Sequence, residues 1–398
     1  MPNPALIREK VRQAIALLNE KGIDAWLTFV RETEQTRDPV LDLILDLNVT
    51  WISAFILTAQ GDRVAIVGRF DRENVAALEV WDPVIGYDES IRGPLVETLQ
   101  RLNPREIAIN YSENDPAADG LTHGMWCMLH RLLSGTPFVG RLISAEDLIG
   151  ALRGRKTPLE LEAIRRAVET TERLFAEIGA FLRPGRTERE IQAFVHERMR
   201  AYGVEPAWDP DYCPIVAVGP EAPAGHAMPG DRRVAPGALV HVDLGIRQEG
   251  FCSDLQRVWY VLGEGETEPP PEVQRAFRAV REAIQAGFQA LRPGVQGWEV
   301  DAAARRALTG QGYPEYLHAL GHHIGRTVHD GSTILGPRWE RYGQTPYGVV
   351  EAGNVFTLEL GVRVPGYGYV GLEEDVRVTP HGAEWISHPQ AELWVIRP

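Results

Sequence analysis

Leu239-Val-His-Val-Asp-Leu-Gly-Ile-Arg-Gln-Glu-Gly-Phe-Cys-Ser-Asp-Leu-Gln-Arg-Val-Trp-Tyr260 is the stretch on which the reading of this chain turns. Leu239, Val240 and Val242 lead to Asp243, and Val258, Trp259 and Tyr260 follow Asp254, so both halves read as strands. The turn-rich Arg247-Gln-Glu-Gly250 joins them, and a hairpin would set Asp243 and Asp254 side by side. An aspartate inside an apolar strand is costly unless it is paired or bound to a cation. Either one alone reads equally well as a cap at a strand end. Two adjacent ones repel unless a cation lies between them, so the pair points to metal.

Two more clusters lie downstream. His318-Ala-Leu-Gly-His322-His323-Ile-Gly325-Arg-Thr-Val-His329-Asp330 holds four of the chain's 11 histidines. Neutral imidazole is the commonest metal ligand, and the glycines let the backbone bend tightly enough for rings to converge. A polar surface loop is the alternative. Strands are expected over 355–364 and 369–378, carrying Phe356-Thr-Leu-Glu359-Leu-Gly361 and Gly371-Leu-Glu373-Glu374-Asp375-Val376. Glu359 and Glu373 have apolar neighbours and would be costly to bury unpaired, whereas Glu374 and Asp375 read as the solvated end of their strand. The candidate metal shell is therefore Asp243, Asp254, His322, Glu359 and Glu373. Its carboxylates overcharge one divalent ion and neutralise two, which at about 3.5–4 Å apart would activate water and grip a hydrolysed bond. Oxygen-rich ligation with one nitrogen suits Mn, Co or Fe, with Zn also compatible.

Around this core the chain alternates helices and strands. Asn3 and Pro4 open a first helix that Gly22 stops. Strand-like runs follow at 25–30, 51–58, 64–67 and 107–111, with helical stretches at 72–80 and 125–133, which is the texture of a small α/β domain. Thr157-Pro-Leu-Glu160 is a capping box that starts a long helix to about Leu182, so the boundary is placed between domains 1–153 and 154–398. In the second part Leu182-Arg-Pro-Gly185 and Leu291-Arg-Pro-Gly294 each end one helix and precede another, an internal pseudo-duplication.

The order Asp243, Asp254, His322, Glu359, Glu373, in the motifs VDLG, SDLQR, GHHIG, FTLELG and LEEDVRVT, resembles that of the pita-bread metallopeptidases: methionine aminopeptidase, aminopeptidase P and prolidase. The resemblance covers about residues 155–398. It implies an α/β N-terminal domain of creatinase-like type followed by an α+β pita-bread catalytic domain. It also implies two divalent ions, Glu359 as general base, and His226 and His329 stabilising the tetrahedral intermediate. His318 matches a further site histidine of the proline-specific members, and Tyr212 a tyrosine that donates hydrogen bonds there. Arg338 and Arg341 lie in a loop between His329 and Glu359 where a prolidase arginine is also found, and are candidates to read a substrate carboxylate. Three positions depart from the pattern: His323 where glycine is frequent, Leu360 in place of proline, and Gly371 where many prolidases carry a basic residue. His323 then either points away from the metals or narrows the pocket.

Composition sets the outer limits. A net charge of −14 repels phosphates, so nucleic acid and anionic membrane are poor partners. No run reaches the ~18 uncharged apolar residues of a membrane span, and no export signal is visible. The three scattered cysteines suit a reducing cytoplasm. The expectation is a cytoplasmic, homodimeric Xaa-Pro dipeptidase or aminopeptidase acting on short peptides with proline second. A metal-independent creatinase-like amidinohydrolase and a non-catalytic binding module on the same fold are the alternatives.

Overall fold

The computed structural model describes residues 3–223, 225 and 227–397. The chain divides into two compact units, Met1–Arg153 and Gly154–Pro398.

In the first unit the helix Pro4–Lys21 begins where Asn3 accepts from the amides of Ala5 and Leu6, and ends at left-handed Gly22, φ 69°. The six-stranded sheet runs in the order Val84–Tyr87, Arg63–Gly68, Ser53–Thr58, Ala25–Val30, Ile107–Ile109, Leu142–Ser144. Its central strands are buried on both faces. Trp26, Phe55, Leu57 and Val67 pack on one side with Ile7, Leu18 and Leu148, while Leu27, Phe29, Ile56 and Ile66 pack on the other with Leu95, Leu129 and Leu133. Alternate residues thus feed two apolar layers, which is why these strands read as unbroken apolar runs. The helix expected over 72–80 stops at Ala76, and the strand Val84–Tyr87 follows it.

The second unit is built on two helix pairs. Pro158–Phe181 precedes Glu188–Tyr202, and Pro271–Ala290 precedes Gly297–Thr309. Thr157 with Glu160, Thr187 with Glu190 and Gln296 with Glu299 form capping boxes at three of these starts. The two LRPG turns are geometrically equivalent. Gly185 and Gly294 have φ of 91° and 90°, and their amides donate to the carbonyls of Val234 and Val350. The repeat is therefore structural as well as textual.

A seven-stranded sheet carries the order Val355–Val364, Gly368–Thr379, Leu255–Val261, Leu239–Leu244, Ile215–Val218, with Gly382–Trp385 and Trp394–Ile396 added at its side. The helix Pro271–Ala290 buries Val273, Phe277, Val280 and Ile284 against Phe356, Leu358, Leu372 and Val376 of this sheet. The expected simple hairpin is interrupted. Ile246–Gln248 and Phe251–Cys252 peel away to join Glu205–Pro206 in a separate three-stranded sheet. No described helix is long and apolar enough to cross a membrane.

Candidate metal centre

Strand register brings the acidic residues together. Glu359 pairs with Glu373, Glu373 with Gln256, Gln256 with Asp243, and Asp243 with Ile215. Directly paired residues put their side chains on the same face of a sheet, so this row crosses five strands with its side chains together. Asp254 stands one residue before its strand, and its carboxyl lies within hydrogen-bonding reach of Asp243. His322 comes from the short strand Gly321–His322. A Cβ at Gly321 would lie 1.9 Å from the Thr357 carbonyl oxygen, so only glycine lets this segment approach the sheet.

The His322 ring is oriented through its far nitrogen. Nδ1 lies 3.1 Å from the His323 carbonyl, a contact in which Nδ1–H donates. The lone pair of Nε2 is left facing Asp254 Oδ2 at 3.8 Å and Glu373 Oε1 at 3.9 Å. These three residues offer ligand atoms within 4.8 Å of one another.

Electrostatics mark the cluster as unbalanced by itself. Burial, then the Glu359 charge, pushes Asp243 well above the usual carboxylate range. Burial raises Asp254 and Glu373 in the same way, reinforced for Asp254 by Glu373 and for Glu373 by Glu359. Glu359 is pushed up to about 7 by burial, against hydrogen bonds from Gln256 and Tyr316. Burial and the neighbouring His329 lower His322 to about 3, which keeps its imidazole neutral. Asp243 Oδ1, Asp254 Oδ1 and Glu373 Oε1 are buried and lack a hydrogen-bond partner among the described residues. Such orphaned oxygens are costly unless a cation meets them. Carboxylate oxygens and one imidazole nitrogen are a donor set for hard or borderline divalent ions, and the residues fit that group.

Asp243 and Glu359 open onto a cavity of about 240 Å³ that is walled by Ile215, Ala217, His241, Tyr316, His318 and Tyr369 among others. His318 lies on this wall with its ring 5.6 Å from that of Tyr316. The His329 ring stands perpendicular to His322 at 4.4 Å. His226 lies outside the described residues; Pro223 and Gly225 beside it line the cavity.

Other expected site residues are placed elsewhere. Tyr212 is 39% exposed and is not part of the cavity wall; the tyrosine that hydrogen-bonds Glu359 is Tyr316. Arg338 stacks on Trp298 at 4.3 Å. Arg341 lies over Trp339 and Tyr342 and donates to the Leu317 carbonyl, and Leu317 is itself a wall residue. His323 takes the first of its two options. Its ring is buried on Phe356 at 4.0 Å, on the side away from the carboxylates, and Gly331 leaves it room.

The reading of Glu374 and Asp375 as solvated is corrected. They are 2% and 0% exposed. The strand continues past them to Thr379 and is covered by the segment around Ser387. Glu374 pairs with Arg257 at 3.0 Å and accepts from Ser387 Oγ, and Asp375 accepts from the Asp254 amide. Sequence reasoning also missed Gln256, His241 and Tyr316. A signal existed for the first two. Each lies two residues from an aspartate of the cluster, and strand periodicity puts such residues on the same face. Tyr316 sits in an irregular loop with no such signal.

Residues 162–380 match the model of metallopeptidase family M24. An uncharacterized peptidase of Staphylococcus aureus (strain bovine RF122 / ET3-1) is 30% identical over 84% of this chain and 87% of its own length. An X-Pro aminopeptidase from Thermotoga maritima MSB8 aligns with a TM-score of 0.72 at 25% identity, over 97% of this chain and 99% of that one. Dipeptidase PepE from Mycobacterium ulcerans aligns with a TM-score of 0.73 at 26% identity, over 100% and 99%. An Xaa-Pro dipeptidase from Bacillus anthracis gives 0.73 at 24% identity, over 99% and 100%. With the family model matching more than half of the sequence and these folds matching nearly all of it, the chain belongs to metallopeptidase family M24 and has the pita-bread fold.

Proposed function

We propose that this protein is a dinuclear metal-dependent peptidase that hydrolyses the N-terminal Xaa-Pro bond of short peptides. The observation that carries the reading is the single row Glu359–Glu373–Gln256–Asp243, with Asp254 and His322 against it and three buried carboxylate oxygens that have no hydrogen-bond partner among the described residues. The proline preference is supported by the X-Pro and Xaa-Pro enzymes among the similar structures. Residues 1–153 are assigned as a creatinase-like N-terminal domain and 154–398 as the catalytic domain. The protein is taken to act as a cytoplasmic homodimer with manganese as its metal.

Two divalent ions held by Asp243, Asp254, His322, Glu359 and Glu373 would supply Lewis-acid charge and make water acidic enough to attack near neutral pH. The chain's own groups do the rest. Glu359 faces the cavity, where it takes a proton from the attacking water and returns it to the leaving nitrogen. Tyr316 holds Glu359 by a hydrogen bond during this exchange. His329, fixed against His322, and His226 donate to the oxygen of the tetrahedral intermediate. His318 on the cavity wall meets the substrate.

Elemental analysis after reconstitution with manganese is expected to give two ions per chain. An Xaa-Pro dipeptide assayed beside an Xaa-Pro-Yaa tripeptide is expected to be cleaved before proline in at least one case, and their ratio separates dipeptidase from aminopeptidase. Full activity with no bound metal would overturn the reading.

A further inference from the structure

The row across the catalytic sheet contains one polar side chain that is not a carboxylate, Gln256, placed between Glu373 and Asp243. It is 6% exposed. A primary amide has two N–H donors and one acceptor oxygen. Here both donors are spent on acids: Nε2 lies 2.9 Å from Glu359 Oε2 and 3.0 Å from Glu373 Oε2. The acceptor is spent on His241, whose Nε2 is 2.9 Å from Gln256 Oε1. Turning the amide over would aim its oxygen at two carboxylates, so charge fixes its orientation, and His241 Nε2 carries the hydrogen. The other glutamate oxygen that matters, Glu373 Oε1, lies beside His322 and has no hydrogen-bond partner among the described residues.

The next residue along that face explains one departure from the family pattern. A Cβ at Gly371 would lie 2.6 Å from His241 Nε2, 2.6 Å from Tyr369 Cε1 and 2.9 Å from Gln256 Oε1. The missing side chain at 371 and the His241–Gln256 contact are therefore two halves of one arrangement. At this place the neighbouring strand presents a neutral amide, with its two donors aimed at Glu359 and Glu373.

Building on the metal centre proposed above, we infer that Gln256, oriented by His241, is a positioning residue that sets the spacing of Glu359 and Glu373, and that Gly371 is the space His241 needs to reach it. Both Oε2 atoms are tied to one nitrogen, so the two carboxylates are held together before any ion arrives. Partners of this kind are generally worth about 10–100-fold in metal affinity.

The test is a calorimetric titration of the metal-free, full-length protein with Mn²⁺. Gln256→Met keeps the length and removes the donors, and is expected to weaken binding about 10–100-fold. Gly371→Ala is expected to weaken it too, by displacing the His241 ring. In a His241→Ala background the same Gly371→Ala change is expected to cost clearly less, because the contact with the imidazole is gone and only those with Tyr369 Cε1 and Gln256 Oε1 remain. That non-additivity is a result a merely structural glycine would not give. Binding by Gln256→Met within threefold of wild type, or an equal cost of Gly371→Ala with and without His241, overturns the inference. Should Gln256→Met fail to fold, the Gly371/His241 cycle decides alone, since residue 256 itself is not substituted in it. A wild-type protein that takes up no Mn²⁺ overturns the metal centre itself and this inference with it, whereas a wild type that binds beside an unaffected Gln256→Met overturns only the positioning role.

Discussion

Replacing Arg257 by methionine should destabilise the C-terminal unit severely, although Arg257 is not on the wall of the cavity onto which Asp243 and Glu359 open. Both Arg257 and Glu374 have side chains 2% exposed, and they meet at 3.0 Å. At an effective dielectric of ~20, two unit charges at that distance attract by about 5 kcal/mol. Arg257 also donates to the carbonyls of Gln256, Glu373 and His388, and its guanidinium lies over the Phe175 ring at 5.6 Å. Methionine strands a buried Glu374 carboxylate and three carbonyls. Breaking a buried pair from one side costs about 3–5 kcal/mol. For a unit of this size that is a fall of about 6–20 °C in Tm. Urea unfolding followed by tryptophan fluorescence would measure it. The double variant Arg257→Met with Glu374→Leu removes both charges and should recover most of the loss, because two apolar groups leave no uncompensated ion. A single variant costing under about 1 kcal/mol, or a double variant no better than the single, would refute the argument that this pair is a buried charge balance.

Three other outcomes are expected. His322→Gly should abolish metal binding, whereas His323→Gly should keep the metal and lose about 1–3 kcal/mol of stability, since it empties the space against Phe356; elemental analysis beside thermal melting separates the two. Arg341→Ala should raise KM for an Xaa-Pro dipeptide about tenfold more than for its C-terminal amide, because Arg341 adjoins the wall residue Leu317, while Arg338→Ala, stacked on Trp298, should not discriminate acid from amide. In the metal-free protein Glu359, raised to about 7, holds its proton below that pH and must release it to a cation, and Asp243, Asp254 and Glu373 are raised as well, so Mn²⁺ affinity should fall by at least about 100-fold between pH 8 and pH 5, read by calorimetry at each pH.

What the sequence determined by itself is whatever depends on neighbours along the chain. The capping boxes at Thr157 and Thr187 locate two helix starts, and the paired LRPG turns announce the duplication, because caps and left-handed glycines act within a few residues. Asp243, Glu359 and Glu373 stood out because a carboxylate in an apolar strand is costly wherever that strand goes. Tertiary structure decided the rest. Nothing local sets Gln256 opposite both Glu373 and Asp243, since register between strands distant in sequence is chosen by packing of the whole sheet. Glu374 and Asp375 look solvated beside their neighbours and become buried only when Arg257 and Ser387 arrive from other parts of the chain. His323 turns toward Phe356 and Tyr316 reaches Glu359 for the same reason: a side chain's surroundings are set by segments that fold against it, and local pattern carries no record of them.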